Sequence, residues 1–275
     1  RNATRLSEFL LRELVKKADS LAPKAAPTAE DFMREEAAHP NPYITLVVLD
    51  ALARHGDALA VELGEAAASR PEALAREGAV FALASGPPQR VRGLLSQLSK
   101  DRDPVVARHA QIELARLGGQ PPEVPMHSTV EKVLFLKSAP LFAKVTGEDL
   151  APLAHVAEEQ TYAPGAAIFQ QGEPGDSLFV IVRGHVSIVH DGDTVATLGP
   201  GEAFGEMAVL DKVPRSAGAV AQEECEVLRI GSPEFYEILH EQVEIAEGVI
   251  RMLTQRLREA TSAGVDEKKQ RISSF

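Results

Sequence analysis

Glu206 and Arg215 stand in one short run, Gly199 to Ala221, that is rich in glycine and alanine and flanked by strand-like stretches. The run reads as a loop, a short helix and a second loop. A carboxylate accepts a hydrogen bond from a hydroxyl, and a guanidinium pairs with a phosphate through its planar fork. Glycines let the backbone close in on a ligand. Backbone N–H groups where the short helix starts, from Glu206 to Ala208, add donors for an anion. These residues point to recognition of a ligand that offers both a free hydroxyl and a phosphate. The competing reading is a loop without a ligand, in which Arg215 is a solvated surface residue. A dinucleotide site fails on spacing: Gly199, Gly201 and Gly205 are set too far apart for the fingerprint, and no strand–helix–strand unit surrounds them.

Other chemistries find less support. The 8 histidines show no His-x-x-x-His spacing, and Cys225 is the single cysteine, so no metal site is expected. There is no Gly-x-Ser-x-Gly elbow and no P-loop. The carboxylate pairs Glu158–Glu159, Glu223–Glu224 and Asp191/Asp193 fall at turns or element ends and read as solvated surface. No catalytic constellation emerges, so neither an enzyme nor a cofactor is expected. A lone cysteine excludes an internal disulfide and fits a reducing compartment. Its place in Glu-Cys-Glu-Val turns Cys225 towards a sheet core.

The formal net charge is −11 over 275 residues. That balance repels nucleic acid, and an anionic ligand would need a focused positive site. No apolar run approaches a bilayer span, and residues 1–20 are a charged amphipathic stretch rather than a signal peptide. A cytoplasmic protein, or the cytoplasmic part of a larger one, is expected. The first residue is Arg rather than Met, which leaves room for an upstream enzyme or transporter domain.

The elements that must position the pair fall into blocks. Residues 1–27 predict an amphipathic helix over 5–21 and an Ala/Pro linker. Residues 28–118 are helical throughout. Pro42 to Gly56, Pro71 to Gly86 and Pro104 to Gly118 each open on proline and close on glycine, the usual asymmetry of helix ends. Second helices lie between them, at Ala58–Ser69 and Gln89–Ser99. Such recurrence predicts an α-solenoid, although a helical bundle has the same periodicity. Residues 119–127 form a Pro/Gly-rich linker. Residues 128–264 begin with helices at Thr129–Lys137 and Gly147–Ala157 and then alternate with a period of two. Short strands, punctuated by Pro174-Gly175-Asp176, Gly184 and the hairpin pair Asp191-Gly192, predict a β-roll closed on itself. Two helices, Ser232–His240 and Gln242–Ala260, close the block, and 265–275 reads as a polar tail. The fold class is α+β multidomain: an all-α solenoid, then a jelly-roll-like β-roll with flanking helices.

Phe204, Gly205, Glu206, Ala208, Leu210, Pro214, Arg215 and Ala217 together resemble the phosphate-binding cassette of the cyclic nucleotide-binding domain family, shared by the catabolite activator protein and protein kinase A regulatory subunits. Gly172 to Gly184 and the helical lead-in resemble the same family. Asp103 to Gly118 resembles a HEAT-type repeat, with Val106, Ala110, Leu114 and Leu117 as its buried stripe. The first resemblance implies a cyclic nucleotide ligand, with Arg215 on the cyclic phosphate and Glu206 on the ribose 2′-hydroxyl. Met207 and Ser216 complete the expected ligand-binding set. Ser216-Ala217 looks more like the bacterial activators, which favours cAMP over cGMP. Arg251, Leu253, Arg256 and Leu257 on the last helix are candidates to cap the base. The function so implied is a sensor that relays occupancy through its closing helices to the helical repeats or to an upstream partner. The glycines of 172–184 are expected to serve turns rather than the ligand. A transcription factor would need a helix-turn-helix after Ala260, and the stretch there is too short to hold one. A scaffold whose nucleotide domain is silent is the alternative.

Overall fold

The computed structural model describes residues 28–120 and 126–273, with side chains to residue 258. The helix expected over 5–21, its linker to residue 27 and most of the 119–127 linker lie outside the described residues. The chain divides into two compact units, residues 1–131 and 132–275.

In the first unit the helices are α1 (Ala29–Ala37), α2 (Pro42–His55), α3 (Leu59–Ala67), α4 (Ala73–Ala84), α5 (Pro88–Leu98) and α6 (Pro104–Leu117). Their ends follow from local chemistry. Asn41 and Asp103 cap α2 and α6 through side-chain oxygens, each with proline at the next position, and Gly56 ends α2 in the left-handed region at φ 66°. Helix α4 lies against α2, α3, α5 and α6, so α2, α4 and α6 follow one another with α3 and α5 set beside them. Small residues allow the close approach: a Cβ on Gly78 of α4 would lie 2.9 Å from Leu46 Cα of α2. Leu46, Leu49, Leu83, Leu95, Val106 and Ala110 are buried, and Leu114 and Leu117 pack partly buried beside them.

Helix α4 starts at Ala73 rather than at Pro71 as expected. The carbonyls of Arg70 and Pro71 are turned to the Arg76 guanidinium, at 2.9 and 2.7 Å, and so take no part in the helix ladder. Arg76 also forks onto Asp101 through Nε at 2.7 Å and Nη2 at 2.8 Å. Another buried carboxylate, Glu77, accepts from the backbone N and Oγ of Thr129, where helix α7 (Thr129–Ser138) begins.

The second unit holds α8 (Gly147–Val156) and two four-stranded antiparallel sheets, ordered β1-β8-β3-β6 and β2-β7-β4-β5. The strands are β1 (Glu158–Tyr162), β2 (Ala167–Phe169), β3 (Ser177–Arg183), β4 (Val186–His190), β5 (Asp193–Leu198), β6 (Ala203–Phe204), β7 (Gly218–Ala221) and β8 (Cys225–Gly231). Phe179, Ile181, Val186, Phe204, Ala219, Cys225 and Val227 form the core between them. The β4–β5 hairpin turns on Asp191 and Gly192, both at positive φ, with His190 opposite Asp193. Cys225 is buried, and its Sγ donates to the His185 carbonyl, 3.0 Å away.

Between β6 and β7 stands the short helix α9 (Glu206–Asp211), and α10 (Ser232–Glu241) and α11 (Val243–Ser273) close the unit. Strand β6 was not expected, because two residues are too few to show a period. Helix α11 extends well past Ala260, so the polar tail expected over 265–275 is helical to Ser273. Its Glu, Lys, Gln and Arg residues are good helix formers and no proline interrupts them. Ile245, Val249 and Met252 bury one face of α11. Gly248 brings the helix onto the Leu141 carbonyl, where a Cβ would come within 2.2 Å of the oxygen. Among the described residues, no helix is long and apolar enough to cross a membrane.

Candidate functional site

Strand β6 pairs with β3 in the register Phe179↔Phe204, and the chain then turns sharply at Gly205, φ 80°, into α9. Glycine is required here twice over, by the left-handed backbone and by a neighbour: a Cβ would sit 2.7 Å from Arg215 Nη1. The turn sets Glu206 at the first position of α9 with 1 % of its surface exposed.

Arg215 comes back to the same place from the loop after α9. Backbone bonds fix it: its N–H donates to the Glu173 carbonyl and its own carbonyl accepts from Gly172, both at 2.8 Å. The side chain is 5 % exposed. Nη1 donates to the Gly205 carbonyl at 2.8 Å and Nη2 to Ser177 Oγ at 3.3 Å, while Nε is buried with no hydrogen-bond partner. The guanidinium carbon lies 4.1 Å from the Phe169 ring centroid and 5.7 Å from that of Phe179. The rings of Phe179 and Phe204 stack at 5.2 Å, and Phe169 adjoins both. Aromatic faces attract the cation but do not neutralise it. Burial lowers the affinity of Arg215 for its proton, and Arg229 adds to that, against the pull of Asp176, Glu173 and Glu206.

The structure brings Phe204, Gly205, Glu206, Ala208 and Arg215 together. Ala208 is buried against Gly175, whose Cβ would meet it at 2.5 Å and Arg215 Nε at 2.7 Å. Gly175 thus serves the Arg215 pocket as well as a turn. Met207 is 45 % exposed, and its Sδ lies 3.8 Å from Ser216 Oγ. Ser216 is exposed and Ala217 half-buried. Of the four base-cap candidates, Arg251 is exposed, Leu253 half-buried and Leu257 68 % exposed. Arg256 instead reaches Glu206: its Nη1 donates to Oε1 and its Nη2 to the Ala203 carbonyl.

Four contributors were not foreseen: Phe169, Ser177 and Gly175 around Arg215, and Tyr236 of α10. Tyr236 Oη donates to the carbonyls of Val209 and Leu210 at 2.8 and 3.2 Å, which joins the end of α9 to a closing helix. Gly175 and Ser177 lie inside the stretch already matched to the family, which was the available signal. Nothing local marked Phe169 or Tyr236.

The groups in direct contact with the Arg215 guanidinium are thus neutral. Residues 159–242 match the family model described as the cyclic nucleotide-binding domain. This stretch of the chain is similar to domains of that kind and is built on antiparallel sheets with flanking helices. The chain is 35 % identical over 130 residues to a cyclic AMP receptor protein of Thermus thermophilus, covering 46 % of this chain and 60 % of that one. It is 33 % identical over 119 residues to a cAMP-dependent protein kinase regulatory subunit of Colletotrichum orbiculare, covering 42 % and 29 %. A crystal structure of the Thermus thermophilus catabolite activator protein superposes with a TM-score of 0.42 at 35 % identity, over 46 % of this chain and 61 % of that one. The chain therefore spans less than two thirds of the length of these relatives.

Proposed function

We propose that the second unit binds one cyclic nucleotide, cAMP in preference to cGMP, with Arg215 on the cyclic phosphate and Glu206 on the ribose 2′-hydroxyl. One observation carries this reading: Arg215 is 5 % exposed and its donors rest on a carbonyl, a hydroxyl and phenyl rings rather than on an acid. An isolated buried charge is costly, and a cyclic phosphate would complete it. Gly205 and Gly175 let the backbone approach the guanidinium, where a Cβ on either would come within 2.7 Å of it. Phe204, Met207, Ser216 and Ala217 line the same loop.

The proposed role is regulatory, not catalytic. Occupancy of the cassette is relayed through α10, by Tyr236, and through α11, by Arg256, to a partner domain. Candidates for that partner are the helical unit, read here as HEAT-like repeats, and a domain upstream of Arg1. The repeat reading rests on proline-led helices that follow one another with second helices beside them. A cytoplasmic setting fits the free cysteine. A silent nucleotide domain on a scaffold is the second reading, and the occupation of Glu206 by Arg256 favours it.

Calorimetric titration separates the two. The full chain is expected to bind cAMP at one site in the micromolar range or tighter, about 8 kcal/mol or more. Arg215→Ala is expected to weaken binding by roughly 2–5 kcal/mol. Unchanged affinity in this variant would remove Arg215 from the site, and no heat with either nucleotide would favour the scaffold.

A further inference from the structure

Glu206 is not waiting for a ligand. Its carboxylate is 1 % exposed and lies beneath Arg256, whose side chain is 34 % exposed. The Arg256 fork spans the turn, with one nitrogen on Glu206 Oε1 and the other on the Ala203 carbonyl, on the two sides of Gly205. Such a charge-assisted pair with a planar donor holds one geometry. A hydroxyl approaching Glu206 must uncover an oxygen that the protein now covers. The side chain that lies over it and also reaches solvent is Arg256. Met252, one turn earlier on the same helix, is buried and sets the direction from which Arg256 comes.

We propose that Arg256 is an internal competitor for Glu206. The nucleotide's 2′-hydroxyl and the closing helix α11 then contend for one carboxylate, so ligand binding releases the α11 anchor from the cassette. This rests on the reading of Glu206 as the hydroxyl acceptor. The consequence is regulatory. The same contact that lowers affinity for the nucleotide makes the position of α11 depend on occupancy, because a ligand shifts a conformational balance only by its differential affinity for the two states. It also blunts discrimination, since the gain from the 2′-hydroxyl is offset by the loss of the Arg256 pair.

The test is titration of the 275-residue wild type, Arg256→Ala and Arg256→Lys with cAMP and with 2′-deoxy-cAMP. Arg256→Ala is expected to bind cAMP roughly tenfold tighter, the scale of one half-exposed charged pair. The preference for cAMP over the deoxy nucleotide is expected to widen, a change that a merely structural arginine would not produce. Arg256→Lys keeps the charge but loses the fork, so a smaller tightening is expected. It also carries the test if the alanine variant does not fold. Binding in the variants that is unchanged or weaker than in the wild type, or a preference ratio that stays put, overturns the competition and leaves the site reading intact. If neither wild type nor variants bind either nucleotide, the site reading falls and the competition falls with it.

Discussion

In the helical unit Arg76 lies against Asp101, with the two side chains 8 % and 9 % exposed, and the carbonyls of Arg70 and Pro71 take further donors. In the β unit Arg215 is as deeply buried, but a glycine carbonyl, a serine hydroxyl and two phenyl rings stand where the acid would be. The first arrangement is closed. Its charge is matched by a fork on a carboxylate, and the pair ties the start of α4 to the turn before α6. The second is open, with a cation held in shape by groups that do not cancel it. Burial raises the cost of both charges alike. What differs is the company each charge keeps: a carboxylate fork for Arg76, and neutral groups for Arg215, as the proposed phosphate site would need.

The largest effect that would test this contrast is on stability. Arg76→Ala strands Asp101 and is expected to cost about 3 kcal/mol in urea unfolding. Arg215→Met replaces an unbalanced buried charge with an apolar side chain of similar length. It is expected to change stability by less than about 1 kcal/mol, or to raise it, while weakening nucleotide binding by roughly 2–5 kcal/mol. If both variants lose the same stability, Arg215 is a structural residue and the contrast collapses.

Asp50 sharpens the comparison from the paired side. Burial pushes its pKa up to about 6, although Arg54 at 2.9 Å pulls the other way. The folded state therefore holds a proton that the unfolded state gives up near 4. The stability from this group is complete below about pH 4 and is lost as pH rises through about 6. Neighbouring Glu131 runs in the opposite sense: burial would raise its pKa, but His127, the Ser128 backbone and Arg54 outweigh that and bring it down to about 2. Comparison of wild type with Asp50→Asn isolates the Asp50 titration, with Glu131, which shares Arg54, already ionised over the range compared. Across pH 4 to 7 the variant should gain on the wild type by about 2 kcal/mol. A difference that is flat with pH would mean that Asp50 stays ionised in its pair with Arg54.

The features legible in the sequence share one property: each is encoded over a few residues. Asn41-Pro42 and Gly56 bound α2, Asp191-Gly192 turns a hairpin, and Phe204 to Arg215 gathers Glu206 and Arg215 about Gly205, because caps, turns and short loops place their chemistry locally. The features that escaped are contacts between distant segments. Phe169 under Arg215, Tyr236 on the end of α9, Glu77 on Thr129 and Arg256 on Glu206 depend on which elements become neighbours. The start of α4 was misplaced for a nearer reason: Arg76, within α4 itself, claims the Arg70 and Pro71 carbonyls, and Arg102 adds a second donor to Pro71. Arg256 is the instructive case. Its helix was singled out for the site, but no spacing in the chain indicates that it meets the carboxylate.

Glu206→Gln tests the hydroxyl side of the open site. A neutral amide makes a weaker bond to the hydroxyl than a carboxylate does, by roughly 1–2 kcal/mol. The preference for cAMP over its 2′-deoxy analogue should narrow accordingly in paired titrations. A variant that keeps the wild-type ratio would show that the hydroxyl is held elsewhere and would leave Glu206 as the anchor of Arg256 alone.

The smallest expected effect lies at Ser216, beside Arg215 but exposed, whose hydroxyl lies 3.8 Å from the Met207 sulfur. That contact is too weak to occupy the group, so Oγ is free to donate to an incoming ligand. Its backbone is held independently, since the Ser216 carbonyl lies 2.9 Å from His190 Nδ1. Ser216→Ala should therefore remove a hydroxyl without moving the loop. If the hydroxyl serves the cyclic phosphate, which both nucleotides share, cAMP and cGMP should each lose about 1 kcal/mol. If it reads guanine, cGMP alone should weaken. The equal loss is expected, because Ser216 adjoins Arg215, the residue proposed to hold the phosphate. A loss confined to cGMP, or a wild-type preference for cGMP of tenfold or more, would overturn the assignment of cAMP.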